Sequence, residues 1–100
     1  MNNIIYHITT KKEWQTALAN GIYQATSLHT EGFIHCSTAQ QVAGVLQRYF
    51  VGKTDLVKLT IDTLKLHSQF QYDFSSSVNE AFPHVYGAIN LDAVIHVGLL

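Results

Sequence analysis

Three histidines each lie in a short β-rich run: His7 in IIYHI (4–8), His35 in FIHC (33–36) and His84 in HVYGAI (84–89). An imidazole titrates near neutral pH and serves as acid, base, hydrogen-bond donor or metal ligand. Side chains two apart on a strand share a face. His84 therefore pairs with Tyr86, His35 with Phe33 and then Ser37, and His7 with Ile5 and Thr9. If the three strands converge, one cleft gathers three imidazoles and the hydroxyls of Ser37 and Tyr86. An acid from Asp73 or Glu80 would complete it. Strand ends on a rigid sheet are where such sites form.

Each residue also has a plainer reading. A buried histidine is commonly a hydrogen-bonded core residue. Ser37 and Gln40 are spaced as a capping box. Cys36 alternates away from His35 and reads as inert core, as does Trp14; His29 and His67 read as loop residues, and His96 fits either description. Pro83, the chain's one proline, fixes its own φ and extends Phe82. It either sets where His84 begins its strand or simply opens an edge strand.

Three chemistries suit the set. A Ser37 or Cys36 nucleophile lacks a G-x-S-x-G elbow, and a His₃ zinc site lacks H-E-x-x-H spacing. A ribosyl or nucleotide ligand needs hydroxyls and neutral imidazoles for its sugar and aromatics such as Tyr6, Phe33 or Tyr86 for its base. No phosphate-loop or dinucleotide glycine motif is present, so a phosphate would depend on a helix N-terminus such as the one after Ser37.

The elements that must position these residues follow from periodicity. After the first strand, Thr10 and Glu13 form a capping box for a helix carrying Trp14, Ala17 and Leu18 and ending near Gly21. A weak strand is expected at 22–25, a polar turn at SLHTEG and a strand at 33–36. A second helix runs from Ser37 to about Phe50, with Val42, Val45, Leu46, Tyr49 and Phe50 on one stripe. Strands follow at 56–61, 70–74, 84–89 and 93–100. Two early helices and a strand-rich remainder predict an α+β fold with an antiparallel-rich sheet core.

One hundred residues, 47% apolar and 13% charged, predict a single domain spanning 1–100. Five lysines and one arginine are scattered and the net charge is −1, so no duplex nucleic acid partner is expected. One cysteine gives no internal disulfide. The segment MNNIIYHITTKKEW does not read as a secretion signal. No apolar run nears the roughly 18 residues of a membrane span. A cytoplasmic protein with a small-molecule ligand is the expectation.

IYHITTKKEW, GIYQATSL, EGFIHCSTAQQ and FPHVYGAINLDAV resemble, over almost the entire chain, the family known as domain of unknown function 952. That family is grouped with the ADP-ribosyltransferase-like folds, which often begin Y-H-x-T and return with a strand like h-x-H-x-S. The matching residues are Tyr6-His7-Ile8-Thr9 and His35-Cys36-Ser37. The resemblance implies NAD, ADP-ribose or a related nucleotide as ligand. It implies that His7 touches the ribose, that His35 and Ser37 line the nicotinamide side, and that His84 and Tyr86 face them. His7, His35 and His84 are the candidate catalytic residues. Ser37, Gln40, Tyr86, Thr9, Asp73 and Glu80 are candidate ligand-binding residues. Departures are as informative: no E-x-E or Q-x-E pair is present, and Arg48 alone cannot supply the arginines of the RNA 2′-phosphotransferase relatives. Binding without catalysis and, behind it, a His-ligated metal stand as alternatives.

Overall fold

In the computed structural model, which describes residues 2–100, eight strands and three α-helices form a small α+β domain whose strand pairings are all antiparallel. In chain order these are β1 (Ile4–Thr10), α1 (Lys11–Asn20), β2 (Ile22–Tyr23), α2 (Thr26–Thr30), β3 (Ile34–His35) and α3 (Val42–Tyr49). Then come β4 (Leu56–Asp62), β5 (Phe70–Ser75), β6 (Glu80–Val85), β7 (Ile89–Asn90) and β8 (Val94–Leu99). The strands form three small sheets rather than one, ordered β1-β4-β8, β2-β7 and β3-β6-β5.

α1 begins and ends where its sequence signals put it. Thr10 Oγ1 accepts from the Glu13 N–H at 3.1 Å, and Gly21, at φ 77°, donates its N–H to the Ala17 carbonyl. Only glycine takes that left-handed angle without a Cβ penalty. Other boundaries depart from expectation. The predicted polar turn contains α2, one helical turn closed by Glu31 and Gly32 N–H groups on the Ser27 carbonyl, so His29 is helical. The second long helix starts later than Ser37. Ala39–Gln41 is a 3-10 turn, and the box pairs Thr38 with Gln41, whose Oε1 accepts from the Thr38 N–H at 3.0 Å. Ser37 is thereby released from capping, because its own main chain is engaged elsewhere.

The run expected at 84–89 divides into the end of β6 and β7. His84 is the penultimate residue of β6, not its first. Pro83 lies inside this central strand of its sheet, where a missing N–H is normally excluded. The register explains the exception. β3 pairs with β6 at Ile34↔Val85 and His35↔His84, and the next bond runs from the Cys36 N–H to the Pro83 carbonyl at 3.0 Å. In an antiparallel ladder a residue's N–H and C=O face the same neighbour, so the donor that Pro83 lacks is the reciprocal bond to residue 36. Pairing stops there. The chain crosses instead to β1, where Tyr6 and Ser37 exchange both main-chain bonds at 2.8 and 2.7 Å.

The main core lies between the sheets and α1, with Ile5, Ile34, Leu59, Ile61, Val85 and Ile89 at 1% exposure or less. A second cluster, Ile8, Val42 and Leu56 with Val45, Leu46 and Phe50 against it, holds α3 onto β1 and β4. Leu59→Ala is expected to lower unfolding free energy by about 2–5 kcal/mol through loss of burial and the cavity left behind. The same change at Leu64, 75% exposed, should alter it by less than about 0.5 kcal/mol. Urea unfolding of the two variants checks the difference.

Candidate functional site

The crossover at 36–37 opens a cleft of about 410 Å³. Its floor is His7, Ile8, Cys36 and Ser37. α3 and the residue after it supply an apolar wall of Val45, Tyr49 and Phe50. β6 and the end of β5 face it with Phe82, His84 and Ser75, while His35 and Ser27 stand at the near side. The three histidines therefore border one hollow. His35 and His84 meet because they are cross-strand partners, whose side chains project from the same face. His7 meets them because β1 is bridged to Ser37.

His7 is the most constrained of the three. Its Nδ1 contacts the His35 carbonyl at 2.5 Å, and its Nε2 lies 2.7 Å from the Tyr23 hydroxyl. A carbonyl only accepts, so Nδ1 carries the proton, Nε2 accepts, and Tyr23 donates. Burial pulls the His7 pKa down to about 4, against the opposing pull of the His35 carbonyl. The ring is neutral at pH 7 with both nitrogens occupied. Burial likewise pushes the Tyr23 phenol and the Cys36 thiol up, so all three stay uncharged.

His84 is held differently. Its Nδ1 lies 2.7 Å from Asp73 Oδ2, and the same carboxylate accepts from the Tyr86 hydroxyl and from Gln71 Nε2. The Tyr86 and Gln71 donors, ahead of His84, hold the Asp73 carboxyl below the usual carboxylate range, and the carboxylate in return pushes the Tyr86 phenol up. An ionised carboxylate only accepts, so His84 Nδ1 carries the hydrogen and Nε2 is the ring nitrogen left free of Asp73. Phe33 stacks on the imidazole at 4.1 Å and 14°. It also meets His35 edge-on at 4.9 Å. His35 in turn lies 5.1 Å from His84 at 76°, with its Nε2 3.0 Å from Glu31 Oε2. Two carboxylate-backed imidazoles thus stand side by side.

Of the other candidates, Ser37 lines the floor at 5% exposure. Asp73 and Tyr86 reach the cleft only through His84. Thr9 is buried and donates to Glu13 Oε1 at 2.8 Å, away from the lining. Gln40 is exposed in the 3-10 turn and is not a lining residue. Glu80 accepts from Gln41 Nε2 at 3.2 Å, outside the lining. Among the described residues, no three His, Cys, Asp or Glu side chains are grouped to hold a metal ion. Sequence reasoning missed Tyr23 and Glu31 as partners of His7 and His35. It also set Tyr49 on the apolar stripe of the second helix, where the structure leaves it 59% exposed and bordering the cleft. A tyrosine whose hydroxyl must be satisfied when buried was the available signal for Tyr23. Nothing local signals the others.

A small α+β domain with antiparallel sheets around a His-bordered cleft is the class this geometry defines. The chain belongs to the DUF952 family of proteins of unknown function, whose sequence profile matches residues 8–97. Its fold is similar to that of protein CC0527 from Caulobacter crescentus. The crystal structure of that protein is 27% identical with a TM-score of 0.86, over 95% of this chain and 83% of that one. Its solution NMR structure, also 27% identical, gives a TM-score of 0.83 over 99% and 85%. Among curated proteins none matches this sequence at a significant level.

The His7 pKa predicts a pH dependence. Unfolded, the ring titrates near 6.5; folded, near 4. Between these values the unfolded chain takes up a proton that the folded one refuses, so stability is full above about pH 6.5 and falls as pH drops toward 4. The loss is up to about 3 kcal/mol. His7→Asn keeps a donor for the His35 carbonyl but cannot titrate, and should flatten this part of the stability profile. Urea midpoints from pH 4 to 7.5 measure it.

Proposed function

We propose that the cleft binds a small ligand joining a flat ring to a sugar: NAD, ADP-ribose or a related nucleotide. The observation that carries this reading is the Asp73–His84 pair at the cleft wall. Its fixed tautomer presents Nε2 as an acceptor for a sugar hydroxyl, beside the Ser37 hydroxyl on the floor. Tyr49, Phe50 and Phe82 supply aromatic surface for the ring. Arg48 lies over the Tyr49 ring at 5.7 Å and Lys53 over Phe50 at 5.8 Å, which puts two cations beside that wall for a phosphate. The resemblance of Tyr6-His7-Ile8-Thr9 and His35-Cys36-Ser37 to the ADP-ribosyltransferase-like pattern supports the same ligand class.

In this reading His7 orients rather than touches the ligand, since both its nitrogens are bonded. His35 and His84 make the contacts. Neither Asp73 nor Glu80 lines the cleft, which favours binding over glycosyl transfer, a step whose cationic sugar needs a carboxylate alongside. The partner is a small molecule rather than duplex nucleic acid. No helix among the described residues is long and apolar enough to cross a membrane, and the lone buried Cys36 suits a reducing, cytoplasmic setting.

Titration of the protein with NAD, ADP-ribose and AMP, followed by imidazole NMR signals, tests the proposal. At least one ligand should shift His35 and His84, and His84→Ala should weaken its binding about tenfold or more. If none of the three ligands moves any of the His7, His35 or His84 signals, the reading is wrong.

A further inference from the structure

The two carboxylate-backed imidazoles go beyond what binding requires. We infer that His84 and His35 form a base–acid pair that hydrolyses a ribonucleotide 2′,3′-cyclic phosphate, an inference that rests on the nucleotide reading above. Two proton transfers on one substrate need one ring with a lone pair and one with a proton to give. Asp73, held ionised by three donors, gives His84 its Nδ1–H tautomer and leaves Nε2 as the base. Glu31, 3.0 Å from His35 Nε2, is placed to accept from that nitrogen, so in the proton-carrying form of His35 the Nδ1–H is the acid.

The surroundings keep this pair distinct from other titrating groups. His7 below it is neutral with both nitrogens bonded, and burial keeps the Cys36 thiol and the Tyr23 phenol protonated. The Tyr86 phenol is bonded to Asp73. Phe33 limits rotation of both rings by stacking on one and abutting the other. The rings are 5.1 Å apart, close enough for one phosphorus centre to be served by both.

The step balances without a further reactant. His84 Nε2 takes a proton from water as its oxygen bonds to phosphorus. The P–O2′ bond breaks, and His35 Nδ1–H protonates the departing O2′. The product is a 3′-phosphomonoester with a free 2′-hydroxyl, and the two rings exchange their extra proton through solvent to reset. A five-membered cyclic diester suits this pair because ring strain assists opening and it carries a single negative charge. Arg48 and Lys53, over the wall residues Tyr49 and Phe50 though outside the lining itself, add positive potential on that side.

The test follows adenosine 2′,3′-cyclic monophosphate by ³¹P NMR from pH 5 to 9. Opening to the 3′-monophosphate is expected with a bell-shaped pH profile. His84→Gln and His35→Gln should each lower the rate about 100-fold or more. His96→Gln, on exposed β8, should match the unaltered protein, which guards against a contaminating nuclease. Asp73→Asn, which removes the anion that orients His84 Nδ1, should lower kcat with little change in KM; a residue that only shaped the cleft would change KM instead. Backbone spectra confirm that each variant is folded. No opening, or opening undiminished in either histidine variant, overturns the inference. Adenosine 3′-monophosphate added to the same sample separates the two ideas: shifts at His35 and His84 without turnover refute the hydrolysis alone, and no shifts refute the nucleotide reading with it.

Discussion

The main chain between Ile34 and Ser37 belongs to two sheets in succession, and the rest of the molecule is arranged around that transfer. At Ile34 and His35 it is paired with β6; by Ser37 it is bonded to β1 at Tyr6. Backbone polar groups inside a domain must be paired, so a strand can leave one ladder only where the loss is absorbed. Pro83 supplies that point, having no N–H to orphan. Cys36, at the hinge, has its N–H on Pro83 and its side chain in the core.

The consequence is that β1, β3 and β6 meet at one place, although they are far apart in sequence. Their meeting leaves a hollow, because diverging sheets cannot fill the angle between them, and α3 covers one side of it with apolar residues. The second hydrophobic cluster, Ile8, Val42 and Leu56, therefore serves the cleft as well as the fold. It fixes the wall against which a flat ring can lie. The similar fold of the Caulobacter protein at 27% identity accords with an arrangement carried by main-chain pairing and apolar pattern.

Within the hollow, hydrogen-bond partners divide three chemically identical rings into different roles. His7 faces a carbonyl and a phenol, both uncharged, in full burial, and stays neutral. His84 and His35 face carboxylates nearer solvent. A buried charge is tolerated only beside a partner, and of the three rings only His84 and His35 have a carboxylate within hydrogen-bond distance.

The sequence alone determined what depends on neighbours along the chain. The α1 box at Thr10 and Glu13, its glycine stop and the alternation of β4 were readable because each is set within a few residues. His84 and Tyr86 do share Asp73, although Tyr86 lies just past the end of β6 and not within the strand that alternation assumed. Tertiary structure decided the rest. A capping box at Ser37–Gln40 and one at Thr38–Gln41 are equally plausible from sequence; the β1 bridge at Ser37 selected the second by claiming that residue's main chain. Thr9, Gln40 and Glu80 had suitable chemistry, yet packing turned them away from the lining, and it brought in Tyr23 and Glu31 from elements with no local mark of a site. Which groups a histidine bonds depends on strands paired across dozens of residues, and no window of sequence contains both partners.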